Sequence, residues 1–316
     1  MDSTVKTRKR PGGLRAGLPS ELPTRVLGRT GEKVSILALG GHHVGQVQDD
    51  REAIRLVRTA IDMGVTFMDN AWEYHQGRSE ALMGEALHDG YRERVFLMTK
   101  HHGRDKRTAL RHLEESLRRL DTDRIDLWQF HEIIYEDDPA MIFAPGGGIE
   151  AAELAKKHGK VRYIGFTGHK DPAVFRSMLA QDYPWDTVQM PVNVLDAHFR
   201  SFQREILPIL VERDIGPIAM KSMGGGHVLE SGVVKPGQAL RYAWSQPVAT
   251  VVCGMTSIDQ LEQNIQAARE FVPLSKQEEL ELLERAKPVA RDGKFEPFKT
   301  SDQFDGVVGK HLHGLS

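Results

Sequence analysis

From residue 34 onward, short apolar runs alternate with longer stretches in which apolar residues recur at helical spacing. Residues 34–39 form an apolar run closed by Gly40-Gly41, and residues 51–63 follow with Ala53, Ile54, Val57, Ala60 and Ile61 on one helical face. The same strand-then-helix unit repeats along the chain. Strands are predicted over residues 65–68, 95–100, 125–131, 161–166, 188–190, 217–221 and 250–253. Helices are predicted over residues 79–87, around Leu110 to Leu120, and over 149–158, 202–212, 237–245 and 258–271, with another starting at Pro172, where a missing amide donor does no harm. Eight such units predict an α/β fold, a (β/α)8 TIM barrel of parallel strands with right-handed crossovers. An open doubly wound sheet is the other arrangement this alternation permits. Its fingerprint, G-x-G-x-x-G after the first strand, is absent, since the chain there reads Gly40-Gly41-His42-His43-Val44-Gly45.

The ends of the chain read differently. Residues 1–23 contain Lys6, Arg8, Lys9, Arg10 and Arg15 among turn formers, which predicts a flexible basic leader; no apolar stretch follows it, against a secretory signal. Residues 24–290 hold the barrel together with one extra helix near 274–287. The remaining tail, residues 291–316, is polar and glycine-containing and is expected to lie over the surface.

Composition adds limits. With 40% hydrophobic and 27% charged residues among 316, the chain has ample material for a core. A formal net charge of -2 gives no reason to expect nucleic acid or an anionic membrane as partner, and no apolar stretch is long enough to span a bilayer. The single cysteine, Cys253, excludes an intramolecular disulfide and suits a reducing, cytoplasmic setting. It lies in an apolar strand and is expected in the core.

Candidate chemistry gathers at strand ends. The stretch Thr66-Phe67-Met68-Asp69-Asn70-Ala71-Trp72-Glu73-Tyr74 is an apolar run that stops at a carboxylate and is followed by a phenol. The third strand ends in Lys100 and the fourth in His131. In a barrel, these residues meet at the C-terminal mouth, where such folds build their sites. Metal chemistry is set aside: His42-His43 and His101-His102 are adjacent pairs, which on a strand would point to opposite faces, and His131-Glu132 lacks the second histidine of H-E-x-x-H.

Phe67-Met68-Asp69 with Glu73-Tyr74, then Thr99-Lys100, then Asp126-Leu127-Trp128-Gln129-Phe130-His131 resembles the aldo-keto reductase family, and the likeness runs from about residue 24 to 271. The resemblance implies NAD(P)H-dependent interconversion of a small aldehyde or ketone and its alcohol, with Asp69, Tyr74, Lys100 and His131 as the catalytic tetrad. Tyr74 would be the proton donor, its pKa lowered by Lys100; Asp69 would act through Lys100, and His131 would orient the carbonyl. It also implies cofactor contacts at Thr167 and Gly168 after the fifth strand, Gln189 at the end of the sixth, Lys221, Ser222 and Met223 after the seventh, and Gly254, Thr256, Gln260 and Asn264 after the eighth; by position after the first strand, Gly41 and His42 would border the nicotinamide. Gly224-Gly225-Gly226 would let the backbone approach a pyrophosphate. Trp72 and Trp128 are candidates for the substrate wall. Residues 254–264 contain no lysine or arginine, so strong preference for NADPH over NADH is not expected. Reductase-like barrels also serve as nucleotide-binding regulatory subunits, and that reading stays open beside the enzymatic one.

Overall fold

The computed structural model describes residues 21–315. Most of the basic leader, residues 1–20, lies outside that range. A two-stranded antiparallel hairpin, β1 (Thr24–Val26) and β2 (Lys33–Ser35), precedes eight strands: β3 (Leu37–Gly40), β4 (Phe67–Asp69), β5 (Phe96–His101), β6 (Ile125–Phe130), β7 (Val161–Thr167), β8 (Thr187–Pro191), β9 (Gly216–Met220) and β10 (Thr250–Cys253). These eight pair in parallel in the order β10-β3-β4-β5-β6-β7-β8-β9 and close into the predicted barrel. Closure rests on β10, which pairs with β3 through Val251↔Leu37 and with β9 through Val251↔Ala219.

Local signals set the crossover helices. Asp49 caps the helix Asp50–Asp62 by accepting from the amides of Arg51 and Glu52, and Asp105 caps Lys106–Arg119 through the Thr108 amide. Pro172 opens Pro172–Leu179 as expected. The extra helix, Lys276–Ala286, begins with a Ser275/Glu278 capping box. Among the described residues, no helix is long and apolar enough to cross a membrane.

Four features depart from the sequence expectations. The apolar run 34–39 is two elements: Val34 belongs to the hairpin, a bend follows at Ile36, and β3 begins at Leu37. An unbroken apolar stretch carries no mark of that bend. The helix expected over 202–212 breaks at Ile206, because Pro208 supplies no amide donor, giving Phe202–Glu205 and Leu207–Glu212. The long connection after β6 holds a short helix, Asp138–Phe143. Finally, the tail does lie over the barrel, but it is anchored and not merely solvated: Phe298 and Lys299 are fully buried, and two short helices, Pro297–Thr300 and Val307–Leu312, lie across the barrel mouth.

The two ends of the barrel differ as a result. At the floor, Leu27 and Val34 of the hairpin region pack with Ala38, Phe67, Phe96, Met98, Leu127 and Ile218, and the Phe67 and Phe96 rings stack at 5.3 Å. At the mouth the tail is anchored by ions. Lys299 Nζ donates to Asp196 Oδ1 at 2.6 Å, lies 3.0 Å from Glu296 Oε1, and donates to the Phe199 carbonyl at 2.8 Å. Lys170 pairs with Asp305, and His313 contacts Asp138 at 3.1 Å.

Candidate active site

Asp69 ends β4, Tyr74 opens the turn Tyr74–Gly77 beyond it, Lys100 lies near the end of β5, and His131 directly follows β6. Parallel pairing of β4, β5 and β6 sets these strand ends side by side. Lys100 Nζ donates to Asp69 Oδ1 at 2.8 Å, to the Asn70 carbonyl at 2.6 Å and to the Tyr74 hydroxyl at 3.4 Å. The Tyr74 and His131 rings meet edge to face at 5.6 Å. Asp69, Lys100 and His131 are buried, and Tyr74 is half-buried. All four tetrad candidates are therefore brought together.

The electrostatics correct one expectation. Burial first, and then the carboxylates of Asp69, Glu73 and Glu132, hold the Tyr74 phenol well above its ordinary value of 10.0. Lys100 does not lower it on balance, because Asp69 sits directly on the ammonium while three carboxylates face the phenol. Burial also pulls the Lys100 ammonium below its ordinary value, opposed by Asp69. His131 is driven well below 6.5 by burial and by neighbouring His102 and Lys100, so it stands neutral.

Gln189, at β8, touches the tetrad directly: its Nε2 donates to Asp69 Oδ2 at 2.8 Å. Its other side-chain atom, Oε1, is buried with no partner. A buried acceptor left open costs free energy unless a ligand donor meets it. This atom fits the amide of a nicotinamide, and Thr167, the last residue of β7, lies on the neighbouring strand. On the first strand's side, the backbone at Gly41 is tight: a Cβ there would stand 2.5 Å from the Asp69 carbonyl oxygen. His42 lies edge to face with Tyr74 at 5.1 Å. Both His42 and His43 sit in a short helix, Gly41–Val44, rather than on a strand.

Other candidates have internal partners. Gly168 packs against the Ile133 carbonyl, and His169 donates through Nδ1 to the Phe298 carbonyl of the tail at 2.9 Å. Lys221, with a left-handed φ of 56°, lies 5.6 Å from the ring centroids of both Phe298 and Phe304. Ser222 is buried beside it, and Met223 leads into Gly224–Gly226, where all three glycines have positive φ and so require glycine. At the eighth loop, the Gly254 backbone packs on the His43 ring, the Thr256 amide donates to Gln260 Oε1 at 2.9 Å, and Asn264 Nδ2 contacts Cys253 Sγ at 3.3 Å. Ser257 caps the helix Ile258–Arg269 there. Cys253 is in the core as expected, its thiol pushed up to about 12 by burial.

Of the two tryptophans, Trp128 is fully buried and stacked on His101 at 3.8 Å, so it belongs to the core and not to a substrate wall. Trp72 is partly exposed, stacked on His112 at 3.6 Å and bonded to Glu115. Sequence reasoning gave Glu73 no role and set aside His102 and Glu132 as metal ligands, yet the structure sets all three around His131 and Tyr74. Glu73 stood inside the stretch that raised the site, one residue before Tyr74, and that adjacency was the available signal.

The profile of the aldo/keto reductase family matches residues 36–238, and the chain belongs to that family. The uncharacterized oxidoreductase YrpG of Bacillus subtilis (strain 168) is 33% identical over 224 residues, 63% of this chain and 66% of its own length, slightly under two thirds. L-galactose dehydrogenase of Arabidopsis thaliana is 25% identical over 303 residues, covering 82% of this chain and 92% of that protein. The holo form of aldo-keto reductase AKR11C1 from Bacillus halodurans superposes with a TM-score of 0.73 at 27% identity, covering 86% of this chain and all of that one.

Proposed function

We propose that the protein reduces an aldehyde or ketone to its alcohol, or runs the reverse reaction, with NAD(P)H. The observation that carries this reading is the buried chain from Gln189 through Asp69 and Lys100 to Tyr74, closed on its far side by His131. Gln189, Thr167, Gly41 and His42 would hold a reduced nicotinamide, which when bound would supply the hydride for the carbonyl carbon. Tyr74, kept protonated by its surroundings, gives its proton to the carbonyl oxygen as negative charge develops there. Lys100 lies beside the phenol and stabilises the phenolate left behind, while Asp69 holds the ammonium in place. His131, neutral, donates a hydrogen bond that orients and polarises the carbonyl. The tail lying across the mouth limits water around these groups.

For the cofactor, Gln189 Oε1 and Thr167 would meet the nicotinamide amide, with Gly41 and His42 on its other border. Lys221, Ser222, Met223 and the three glycines would lie near the pyrophosphate, and Gly254, Thr256, Gln260 and Asn264 near the adenosine. The helix after Ser257 can bind an anion at its N-terminus, but no cation accompanies it in residues 254–264. NADH and NADPH should therefore differ by less than about a hundredfold in kcat/KM, since a charge-assisted phosphate clamp is missing. The likeness to an L-galactose dehydrogenase supports including sugars among the substrates.

The test is oxidation of NADH and NADPH, followed by absorbance, with a panel of sugars, steroids and small aldehydes. Turnover with at least one carbonyl is expected. Tight nucleotide binding with no turnover across the panel and its alcohols would favour a regulatory nucleotide-binding subunit instead.

A further inference from the structure

Beside Tyr74, Glu73 stands between two histidines. His102 Nε2 lies 3.0 Å from Glu73 Oε2, and His131 Nδ1 lies 3.3 Å from Glu73 Oε1. One ligand atom from each residue falls within 4.8 Å of the others, the one such group of three among the described residues. The distances alone would allow a carboxylate hydrogen-bonded to two imidazoles. The directions do not: both ring nitrogens remain buried without a hydrogen-bond partner, although oxygens stand within bonding distance. His102 is fully buried, and its second nitrogen is unpartnered as well.

An imidazole nitrogen whose lone pair points beside a nearby carboxylate oxygen, not at it, has the geometry of a shared ion. Two ligand atoms, each about 2.1 Å from one tetrahedral ion, lie roughly 3.4 Å apart, with both directed at the metal. Two imidazoles and one carboxylate suit borderline divalent ions, and three protein ligands leave a position open. The strand argument against the pair His101-His102 holds for His101, which turns into the core against Trp128. It does not hold for His102, whose partners come from the ends of two other strands. The tail shields the cluster: the Gly306 amide donates to both oxygens of Glu132, and a Cβ on Gly306 would stand 2.9 Å from Glu73 Oε2.

We propose that Glu73, His102 and His131 form a binding site for one divalent transition-metal ion of zinc's class. The ion takes Nδ1 of His131 and so leaves the proton on Nε2, the tautomer that can donate to a carbonyl. Binding of the ion does not depend on the proposed reduction and is read without turnover.

The experiment titrates tag-free, chelator-treated full chain with Zn2+ by calorimetry and with Co2+ by visible absorption. One ion per chain is expected, with the absorption of a tetrahedral Co2+ centre. His102→Ala should weaken binding at least tenfold, and His88→Ala, at an exposed pair with Asp121, should leave it unchanged. Since Glu73→Gln changes a partly buried charge, His102→Phe serves as a second variant, with folding checked by circular dichroism. Absence of stoichiometric binding, unchanged affinity in both His102 variants, or a loss caused by His88→Ala would each overturn the site.

Discussion

Two buried lysine–aspartate sets stand at the mouth of the barrel and do different work. Lys100 reaches Asp69, the Asn70 carbonyl and Tyr74; Lys299 reaches Asp196, the Phe199 carbonyl and Glu296. Each ammonium has three oxygen neighbours. The third neighbour separates them: in one set it is a titratable phenol, in the other a second carboxylate, Glu296 of the tail itself, which accepts in turn from Asn193. A buried ion pair therefore announces neither catalysis nor stability until its remaining partners are counted.

The contrast breaks most visibly at the phenol. Tyr74→Phe should lower kcat for carbonyl reduction by roughly 10²–10⁴-fold, the worth of a positioned acid, while nucleotide binding and melting temperature stay near wild type. Steady-state kinetics beside a fluorescence titration check this, and retained turnover would remove Tyr74 from the acid role. Lys299→Met should do the opposite, costing about 3–5 kcal/mol of stability as two carboxylates lose their buried partner, with kcat of the folded protein little changed. Denaturant unfolding reads the first, and a collapse of kcat without destabilisation would show the two sets to be one.

Titration offers a gentler separation. Burial, with Asp196 adding to it against the pull of Lys299, pushes the Glu296 carboxyl up to about 7. A carboxyl raised on folding contributes stability that is full below its unfolded value near 4.5 and is lost as pH rises through about 7. The melting temperature should thus decline between pH 5 and pH 8 by the equivalent of about 2–3 kcal/mol, and Glu296→Gln should flatten that slope. Reduction, by contrast, should keep its acid throughout this window, since Tyr74 stays protonated well beyond it. A fall in kcat for reduction between pH 7 and pH 9 would contradict that assignment.

The same contrast explains what could be read from the sequence. Asp69, Lys100 and His131 each end an apolar run, so the strand that buries the run also delivers the polar residue to the mouth, and three consecutive units place them together. The Lys299 set had no such signal. Its aspartate lies 103 residues away in sequence, and a polar tail looks solvated until the carboxylates that neutralise it are known. His102 was hidden by its neighbour: strand alternation holds as far as His101, where β5 ends, and fails at the next residue. The bend at Ile36 was hidden because both elements it separates are apolar. The bond from Gln189 to Asp69 was hidden because a side-chain amide offers both a donor and an acceptor, and sequence cannot say which faces Asp69.

The ring closes late in synthesis. Trp244 Nε1 donates to the Ile36 carbonyl across 208 residues, and β3 finds its last neighbour only in β10. Until Cys253 has left the ribosome, the nascent sheet carries two bare edges, each able to recruit another chain. A truncation just before β10 would thus make an aggregate rather than a smaller barrel, and chaperone dependence should peak at that length.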